Sequence, residues 1–593
     1  MIVKMKKVFL LIQKSQARNA LDNLGVLGAM HVENQRIPSG CELNEISEKL
    51  GLIEQARSIL SAAGEKHPAK YIIHKSGDLQ NVCRHIIDLQ KRYDQLREYS
   101  VTLNGWIDFW ESWGDFDPAQ IKTMREKGVF IKFYQIPKDK LKSLPQSIVL
   151  REISTQGSLI NCLVIAEENT DIDFKELELP KISLSGMKNR LSEDAKIMVN
   201  IREELSEQLI YNADLISAEE ALLNQREFYS VLNGMGQAEE IWYVKGYIPV
   251  ESEDLLLKLA RQSGWGILTL EPDENDLVPT LVRNPGWIRL IKPVLKLLEL
   301  VPGYRELDIS PLFIIFFSIF FGMLIGDAGY GAVYFLLNFW VQKKIGDKVK
   351  DKSVFFLFYI LSFCAIIWGL LTGTFFGQAW LSNIGIKPIV PLLTNATFVQ
   401  ALCFFIGALH LSLAHGWRAM LKAPALSALA DIGWISVIWA VFFLAKTLLL
   451  GDPFPLSGKW LILTGLVLVV FFTNPQRNIL KTIGAGLGTL ALSLVNNFTD
   501  VVSYIRLFAV GLAGVAIADA FNSMAAGIVK KGDILTIVVA ALVVICGHVL
   551  NIILGPMSVL VHGVRLNVLE FCSHANVSWG GFAYKPFMKK KEN

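Results

Sequence analysis

The chain has 593 residues, too many for one core, and its 52% hydrophobic content with only 19% charged residues is unlike a soluble protein of that size. A formal net charge of +3, with no Lys/Arg block interleaved with aromatics, offers nothing for a nucleic-acid partner. Seven cysteines (Cys41, Cys83, Cys162, Cys364, Cys403, Cys546 and Cys572) stand singly and read as reduced, packed thiols, without the pairing of a disulfide framework or a metal site.

The start, Met1-Ile2-Val3-Lys4-Met5-Lys6-Lys7, is followed by five apolar residues before Gln13, too few for a signal peptide, so the N-terminal half is expected to stay in the cytosol. Val8–Ile12 reads as a strand, Ser15–Leu27 as a helix and Ala29–Val32 as a second strand of a small α/β lobe. Leu43–Leu60 and Leu79–Leu103 are helical in pattern, with charges at every turn of the second. A second lobe follows in the strand-like stretches Val129–Tyr134, Ile148–Ile153 and Asn161–Ile165. Ser185–Leu232 is a charged helical pattern without proline, roughly 72 Å long at helical rise. A helix that long and polar needs a partner, and pairing it with Leu79–Leu103 makes an antiparallel coiled coil between the two lobes. Glu240–Val250 and Leu268–Leu270 then return to close the first lobe.

Pro279–Ser310 is rich in Pro and Gly and leads to the apolar half, with Trp287 and Tyr304 as interface anchors. Four parts are therefore expected: a cytosolic α/β two-lobed domain with its coiled coil over 1–285, a linker over 286–311, an α-helical membrane domain over 312–576 and a cytosolic tail over 577–593. Eight membrane helices are expected, at about 312–325, 328–342, 353–376, 396–421, 425–449, 459–473, 485–529 and 534–573. Gly326-Asp327-Ala328-Gly329-Tyr330-Gly331 interrupts the first apolar run, for which one tilted span is the alternative. Loop charges favour eight spans with both termini in the cytosol. Lys343, Lys344, Lys348, Lys350 and Lys352, then Arg418 and Lys422, Arg477 and Lys481, and Lys585 with Lys589 to Lys591 fall on one side. Only Lys387, Lys459, Lys530 and Lys531 fall on the other.

The last two spans would measure roughly 68 and 60 Å, about twice the hydrocarbon thickness, so they must tilt or bend, with Gly511, Gly514, Gly555 and Pro556 as places to do so. The first of them carries Arg506 near its middle. A charge at that depth faces protein or water and is a functional candidate. Ala509, Ala513, Ala516 and Ala520 share its face as a strip of small residues past which another helix could pack. Asn496, Asp500 and Ser503 form a polar half-track before Arg506, and Asp519 and Asn522 lie beyond it. On the last span Asn551, Ser558, His562 and Arg565 lie on one stripe, with His548 at its edge. Isolated histidines such as His410 and His415 are expected to be hydrogen-bonded core residues.

Ser503-Tyr504-Ile505-Arg506-Leu507-Phe508-Ala509-Val510-Gly511-Leu512-Ala513, Val561-His562-Gly563-Val564-Arg565-Leu566-Asn567-Val568-Leu569-Glu570-Phe571 and Phe320 to Gly331 together resemble the large membrane subunit of V-type rotary ATPases. That subunit is called a in eukaryotes and I in bacteria and archaea. The resemblance spans the whole chain. It implies a stator beside a ring of small proteolipid subunits, each with a buried carboxylate. Arg506 would attract that carboxylate and release its H+ or Na+ into an exit path, while blocking a direct leak between two half-channels. Arg565 would support the site, and Glu570 is the candidate partner on the cytosolic side. The N-terminal domain would bind the peripheral stalks that hold the ATP-hydrolysing head still, with the central stalk and the ATPase head as partners through the complex. Gly514 and Gly555 replace a histidine and an acidic residue of eukaryotic members. With Asn567 and the altered ending from Ser573 to Gly581, they point to a bacterial or archaeal plasma membrane rather than a vacuole. No Walker motif occurs, so nucleotide hydrolysis lies in other subunits, and nothing calls for a cofactor or metal. The competing reading is a secondary ion transporter with a cytosolic regulatory domain, which predicts an internal repeat with matching broken helices, and none is found.

Overall fold

The computed structural model describes all residues except 64–78, 144–148, 169–171, 350, 378–387, 474–478, 530–532 and 590–593. Lys350, Lys387, Arg477, Lys530, Lys531, Lys590 and Lys591 of the charge pattern therefore lie outside the described residues.

The first half runs β1 (Met5–Gln13), α1 (Ala17–Leu27), β2 (His31–Glu33), α2 (Cys41–Ala63), α3 (Leu79–Glu111), α4 (Pro118–Glu126), β3 (Phe130–Pro137), β4 (Val149–Gln156) and β5 (Leu159–Ala166). It continues with α5 (Leu184–Glu207), α6 (Asn212–Gly234), β6 (Gly236–Ala238), β7 (Ile241–Pro249), α7 (Glu253–Ser263) and β8 (Gly266–Leu270). β1 alternates buried Val8, Leu10 and Ile12 with more open neighbours, so one face meets a core. It lies between β7 and β8 in a sheet ordered β2-β7-β1-β8, with β6 on β7. α1 covers that face with Ala17, Ala20, Leu21 and Leu24, a helical three-four spacing, and ends on Gly28 in the left-handed conformation. β3-β5-β4 form the second sheet, whose core is built on Trp110, Trp113 and Phe133.

The two lobes are joined by four helices rather than two. Lys188 meets Glu111 at 2.7 Å and His85 meets Glu204 at 2.9 Å, so α3 and α5 run antiparallel. Arg57 pairs with Glu219, and Gly40 lies against Asn233, which sets α2 antiparallel to α6. Ile53, Ala56 and Leu60 join Cys83, Ile86, Ile201 and Leu205 in one seam. The expected single helix over Ser185–Leu232 is interrupted by a tighter turn at Gln208–Tyr211, which separates α5 from α6. That break lets each half keep its own partner.

Short helices α8 (Gly286–Arg289) and α9 (Lys292–Leu297) lead to the apolar half. Tyr304 packs on the first lobe: its hydroxyl accepts the Met5 N–H at 2.9 Å and its ring packs with Tyr247, which ties the linker to that lobe. The apolar helices are α10 (Ser310–Ile325), α11 (Ala328–Ile345), α12 (Ser353–Thr372), α13 (Ala396–Lys422), α14 (Ala428–Ala445), α15 (Leu456–Phe472), α16 (Ile479–Ser503), α17 (Ile505–Val529) and α18 (Ile534–Ser558). Among the described residues five stretches are long and apolar enough to cross a membrane, namely Ser353–Thr372, Ala396–Lys422, Ala428–Leu450, Ser493–Val529 and Ile534–Ala575. α10 and α11 form a pair bent by 119°, so the first apolar run is not one straight helix, and Leu456–Phe472 is a shorter apolar helix. Gly326 closes α10 at φ 67°, and the buried Asp327 opens α11 by accepting the Tyr330 N–H at 3.1 Å. Its other oxygen accepts the Gly377 N–H at 2.9 Å, which accounts for a carboxylate at this depth.

α10 is buried almost all round and packs against α12, α17 and α18 at the centre of the bundle. Each of the last two spans loses its regular helix at one or more places. α16 gives way to α17 at Tyr504, whereas Gly511 and Gly514 lie within unbroken helix. After Pro556, whose missing N–H loosens the ladder, α18 continues through two wide π-type turns at Val559–Gly563 and Leu566–Phe571 before the short α19 (Cys572–Ala575). The chain's last segment returns to the first lobe. Ala583 pairs with Thr280, the Phe587 N–H donates to Met30 O at 2.8 Å, and Phe587 enters the lobe core.

Candidate functional site

Arg506 lies in the first turn of α17, immediately past the break at Tyr504. Tyr504 is fully buried, and a Cβ on Gly407 would come within 2.7 Å of its ring, so α13 approaches it closely. Its hydroxyl meets His410 Nδ1 at 2.9 Å, and that imidazole is stacked between Phe316 and Phe571 at 3.9 and 4.3 Å. His410 is thus the hydrogen-bonded core histidine that was expected. This packing fixes the turn that aims Arg506.

The guanidinium is 22% exposed, and its Nη2 donates to Ser503 Oγ at 2.5 Å. Ser503 Oγ in turn donates to Glu570 Oε1 at 2.7 Å. The same oxygen lies 3.7 Å from Arg506 Nη2 and 3.5 Å from Arg565 Nε, so one carboxylate, 5% exposed, sits between two cations. Among the described residues Arg506 Nη1 and Glu570 Oε2 are enclosed without a hydrogen-bond partner. A guanidinium presents a fork of donors, and here only one side is used. Ala509, Ala513, Ala516 and Ala520 are all exposed, so among the described residues nothing covers this strip.

An open cavity of about 720 Å³ reaches this cluster from the side of the linker and is lined by Asn496, Asp500, Arg565 and Glu570. The fold thus brings together residues drawn from two distant segments. Toward the other end of α17, Asp519 is exposed and Asn522 donates to Phe376 O at 2.8 Å. Asn551 is buried and donates to Gly514 O at 2.8 Å. Ser558 and His562 are half-exposed and lie outside the Ser503–Glu570 hydrogen bonds. The π-type turns rotate the helix after Ser558, which is why the regular stripe through Arg565 is not continuous.

The glycines at 514 and 555 leave room that other groups occupy. A Cβ at Gly555 would stand 2.6 Å from Tyr334 Oη, and Tyr330 Oη meets His548 Nδ1 at 2.7 Å beside Asn551. Sequence reasoning missed Tyr330, Tyr334, His415, Asp431 and His574 as possible site residues. Asp431, in the first turn of α14 at the start of an apolar run, carried a weaker form of the signal that singled out Arg506.

No protein-family model matches the chain. The V-type ATP synthase subunit I of Borreliella burgdorferi is 33% identical over 629 aligned positions, which cover 100% of both chains. The V-type ATP synthase subunit I 1 of Treponema pallidum is 29% identical, again over 100% of both chains. The A-type ATP synthase subunit I of Methanocaldococcus jannaschii is 24% identical over 72% of this chain and 68% of its own. Among solved structures, the cytoplasmic N-terminal domain of a V-ATPase subunit I aligns with 45% of this chain and 100% of its own at 16% identity, with a TM-score of 0.24 that is too low to bear on the fold. With a relative at 33% identity along its full length and an apolar helical half suited to a bilayer, this chain belongs to the subunit I family of V-type ATP synthases, the membrane part of an ion-translocating rotary complex.

Proposed function

We propose that this chain is the stator of the rotary complex and forms two offset ion half-channels beside a ring of proteolipid subunits. The observation that carries the reading is the setting of Arg506: a partly exposed guanidinium with one unpartnered nitrogen, at the head of an exposed strip of small residues. A carboxylate on a passing ring helix would complete the fork and be held ionised, which drives its H+ or Na+ off. The cavity at Asn496, Asp500, Arg565 and Glu570 serves as the half-channel on the cytosolic side. Asp519, Asn551, Ser558 and His562, with Tyr330 and His548 beside them, belong to the opposite half-channel. Arg506 stands between the two, so an ion crosses only by riding the ring. Eight spans in the plasma membrane, with both termini in the cytosol, suit the charge pattern and the return of the tail to the first lobe. The two-lobed domain anchors the peripheral stalks.

ATP-driven ion uptake into vesicles that carry the assembled complex tests the reading. Arg506→Ala is expected to lower coupled uptake roughly a hundredfold or more, the scale seen when one preorganised charge partner is removed. Arg565→Lys is expected to be milder, because that side chain is 54% exposed. Coupled pumping retained by Arg506→Ala sinks the mechanism, and transport by the purified chain alone would favour a secondary transporter.

A further inference from the structure

A second row of titratable side chains crosses the bundle beside the Arg506 cluster. Asp431 Oδ1 lies 3.1 Å from His415 Nδ1, His415 Nε2 lies 3.0 Å from His574 Nδ1, and His574 Nε2 lies 3.1 Å from Asp500 Oδ2. The four groups come from α14, α13, α19 and α16. Asp431, His415 and His574 are 1, 4 and 6% exposed, so the middle of the row is shut off from water. Asp500, at one end, is partly exposed, whereas Asp431, at the other, is buried and is reached only through the cations that hold it. Asp500 lines the cavity shared with Arg565 and Glu570. Asp431 is held by Lys422 Nζ at 2.7 Å and Arg418 Nη2 at 3.5 Å, and both cations line an adjoining cavity of about 590 Å³ that also takes in Arg305 and Glu306 and shares Cys572, Ser573, Val577 and Ser578 with the first. Beyond its two neighbours in the row, His415 faces Arg418 and the Trp434 ring, and His574 faces Arg418, which donates to its backbone oxygen at 2.8 Å.

The three contacts require three shared protons. Two neutral imidazoles bring only two, and ionised carboxylates bring none. With both carboxylates ionised and both imidazoles neutral one contact lacks a proton, so the row has a place for one further proton when one enters it. Every separation is short enough for that proton to move between groups. Asparagine or serine would tie the same helices without burying two imidazoles and a carboxylate, whose desolvation is costly. Among the described residues no group of three or more side chains is disposed to hold a metal ion, so metal binding does not account for the cluster.

We propose that Asp431, His415, His574 and Asp500 form a proton relay, a second inlet that joins the cavity at Arg418 and Lys422 to the half-channel before Arg565 and Glu570. Asp431 is ionised at rest beside Lys422 and Arg418; it first takes a proton from water of the adjoining cavity, and in the transfer that Asp431 O–H bond breaks as His415 Nδ1–H forms. His415 Nε2–H breaks as His574 Nδ1–H forms, and His574 Nε2–H breaks as Asp500 O–H forms. One proton has then crossed, both imidazoles remain neutral in the other tautomer, and reorientation of the two rings after release from Asp500 resets the row. The relay rests on the reading of the Asp500 cavity as an ion path and adds that the ion taken up through it is a proton.

The test uses vesicles with the assembled complex and follows ATP-driven proton uptake from about pH 6 to about pH 9, the range that brackets an imidazole. His415→Gln keeps a hydrogen-bonding side chain but cannot relay a proton. It is expected to lose roughly tenfold in uptake at the alkaline end and little at the acid end, less than a sole proton donor would cost because the open cavity remains. Added imidazole is expected to restore the loss. Uptake equal to the unaltered complex at every pH overturns the relay, as does a loss that is uniform in pH and indifferent to imidazole. Should His415→Gln not co-purify with its partner subunits, Lys422→Gln at the Asp431 end serves instead. It is expected to shift the pH profile of uptake, and an unmoved profile overturns the proposal. Arg506→Ala run in parallel separates the two readings: pumping lost in Arg506→Ala but intact in His415→Gln removes the relay alone, and pumping retained in Arg506→Ala removes the half-channel reading beneath it. A complex whose uptake is of Na+ and not of protons also removes the relay alone.

Discussion

Glu570 decides how the two arginines coexist. Two cations facing one region would repel, and the carboxylate between them, 3.5 and 3.7 Å away, offsets that repulsion while Ser503 holds it in place. These separations are longer than a tight ion pair, so Arg506 is steadied without being captured. That balance suits a side chain that must exchange partners. Glu570→Gln keeps a hydrogen-bond acceptor for Ser503 but removes the charge. It is expected to lower stability by about 1–3 kcal/mol, the range for losing a charged partner, and thermal unfolding of the detergent-solubilised chain checks it. Arg506 and Arg565 were legible as charges in apolar runs, and their matching motifs gave the family resemblance. The bridge through Ser503 was not legible, because it depends on how α16, α17 and the π-type turns meet, and no spacing along the chain encodes that.

Helix contact at the site is set by close backbone approach. A Cβ on Gly511 would lie 2.5 Å from Met323 O, so α10 and α17 touch where only hydrogen fits. Gly511→Ala is expected to cost about 1–3 kcal/mol by pushing the helices apart, with coupled pumping falling along with thermal stability. At the junction between linker and last helix, Glu306 accepts the Gly303 N–H at 2.7 Å and the Ser578 N–H at 2.9 Å, and also the Ser578 hydroxyl. Burial alone would push its carboxyl up, but these hydrogen bonds to Ser578 and the neighbouring backbone outweigh it and hold the group below its ordinary value of 4.5. A carboxyl whose folded value is depressed adds stability above its unfolded value, and that stability is lost as pH falls through the folded one. Glu306→Gln is therefore expected to destabilise the chain at neutral pH and to make progressively less difference as pH drops below about 4.5. Unfolding midpoints measured across that range check it. Of the places expected to let the last two spans bend, Gly511 and Gly555 lie in close contact with neighbouring groups and Pro556 precedes a π-type turn, while the other interruption falls at Tyr504.

The whole molecule is closed on itself by its last segment. Residues 583–589 run along the first lobe, where Lys589 meets Asp22 at 2.7 Å, the Lys585 N–H donates to His31 and Phe587 is buried in the core. The segment also leaves α19 beside the linker, so it ties the two-lobed domain to the membrane helices. Ending the chain at Gly580 is expected to leave the helices inserted but to free the lobe, seen as faster proteolysis between residues 270 and 310 and loss of coupled pumping. By itself the sequence determined the alternation of two lobes and charged helices, the apolar second half, and Arg506 and Arg565 as charges out of place, because periodicity and burial cost are local properties of a chain. Tertiary structure alone decided that four helices join the lobes, that Glu570 bridges both arginines, and that Asp431, His415, His574 and Asp500 meet in one row. Each of those depends on distances between segments up to hundreds of residues apart, and such distances exist only once the helices have packed.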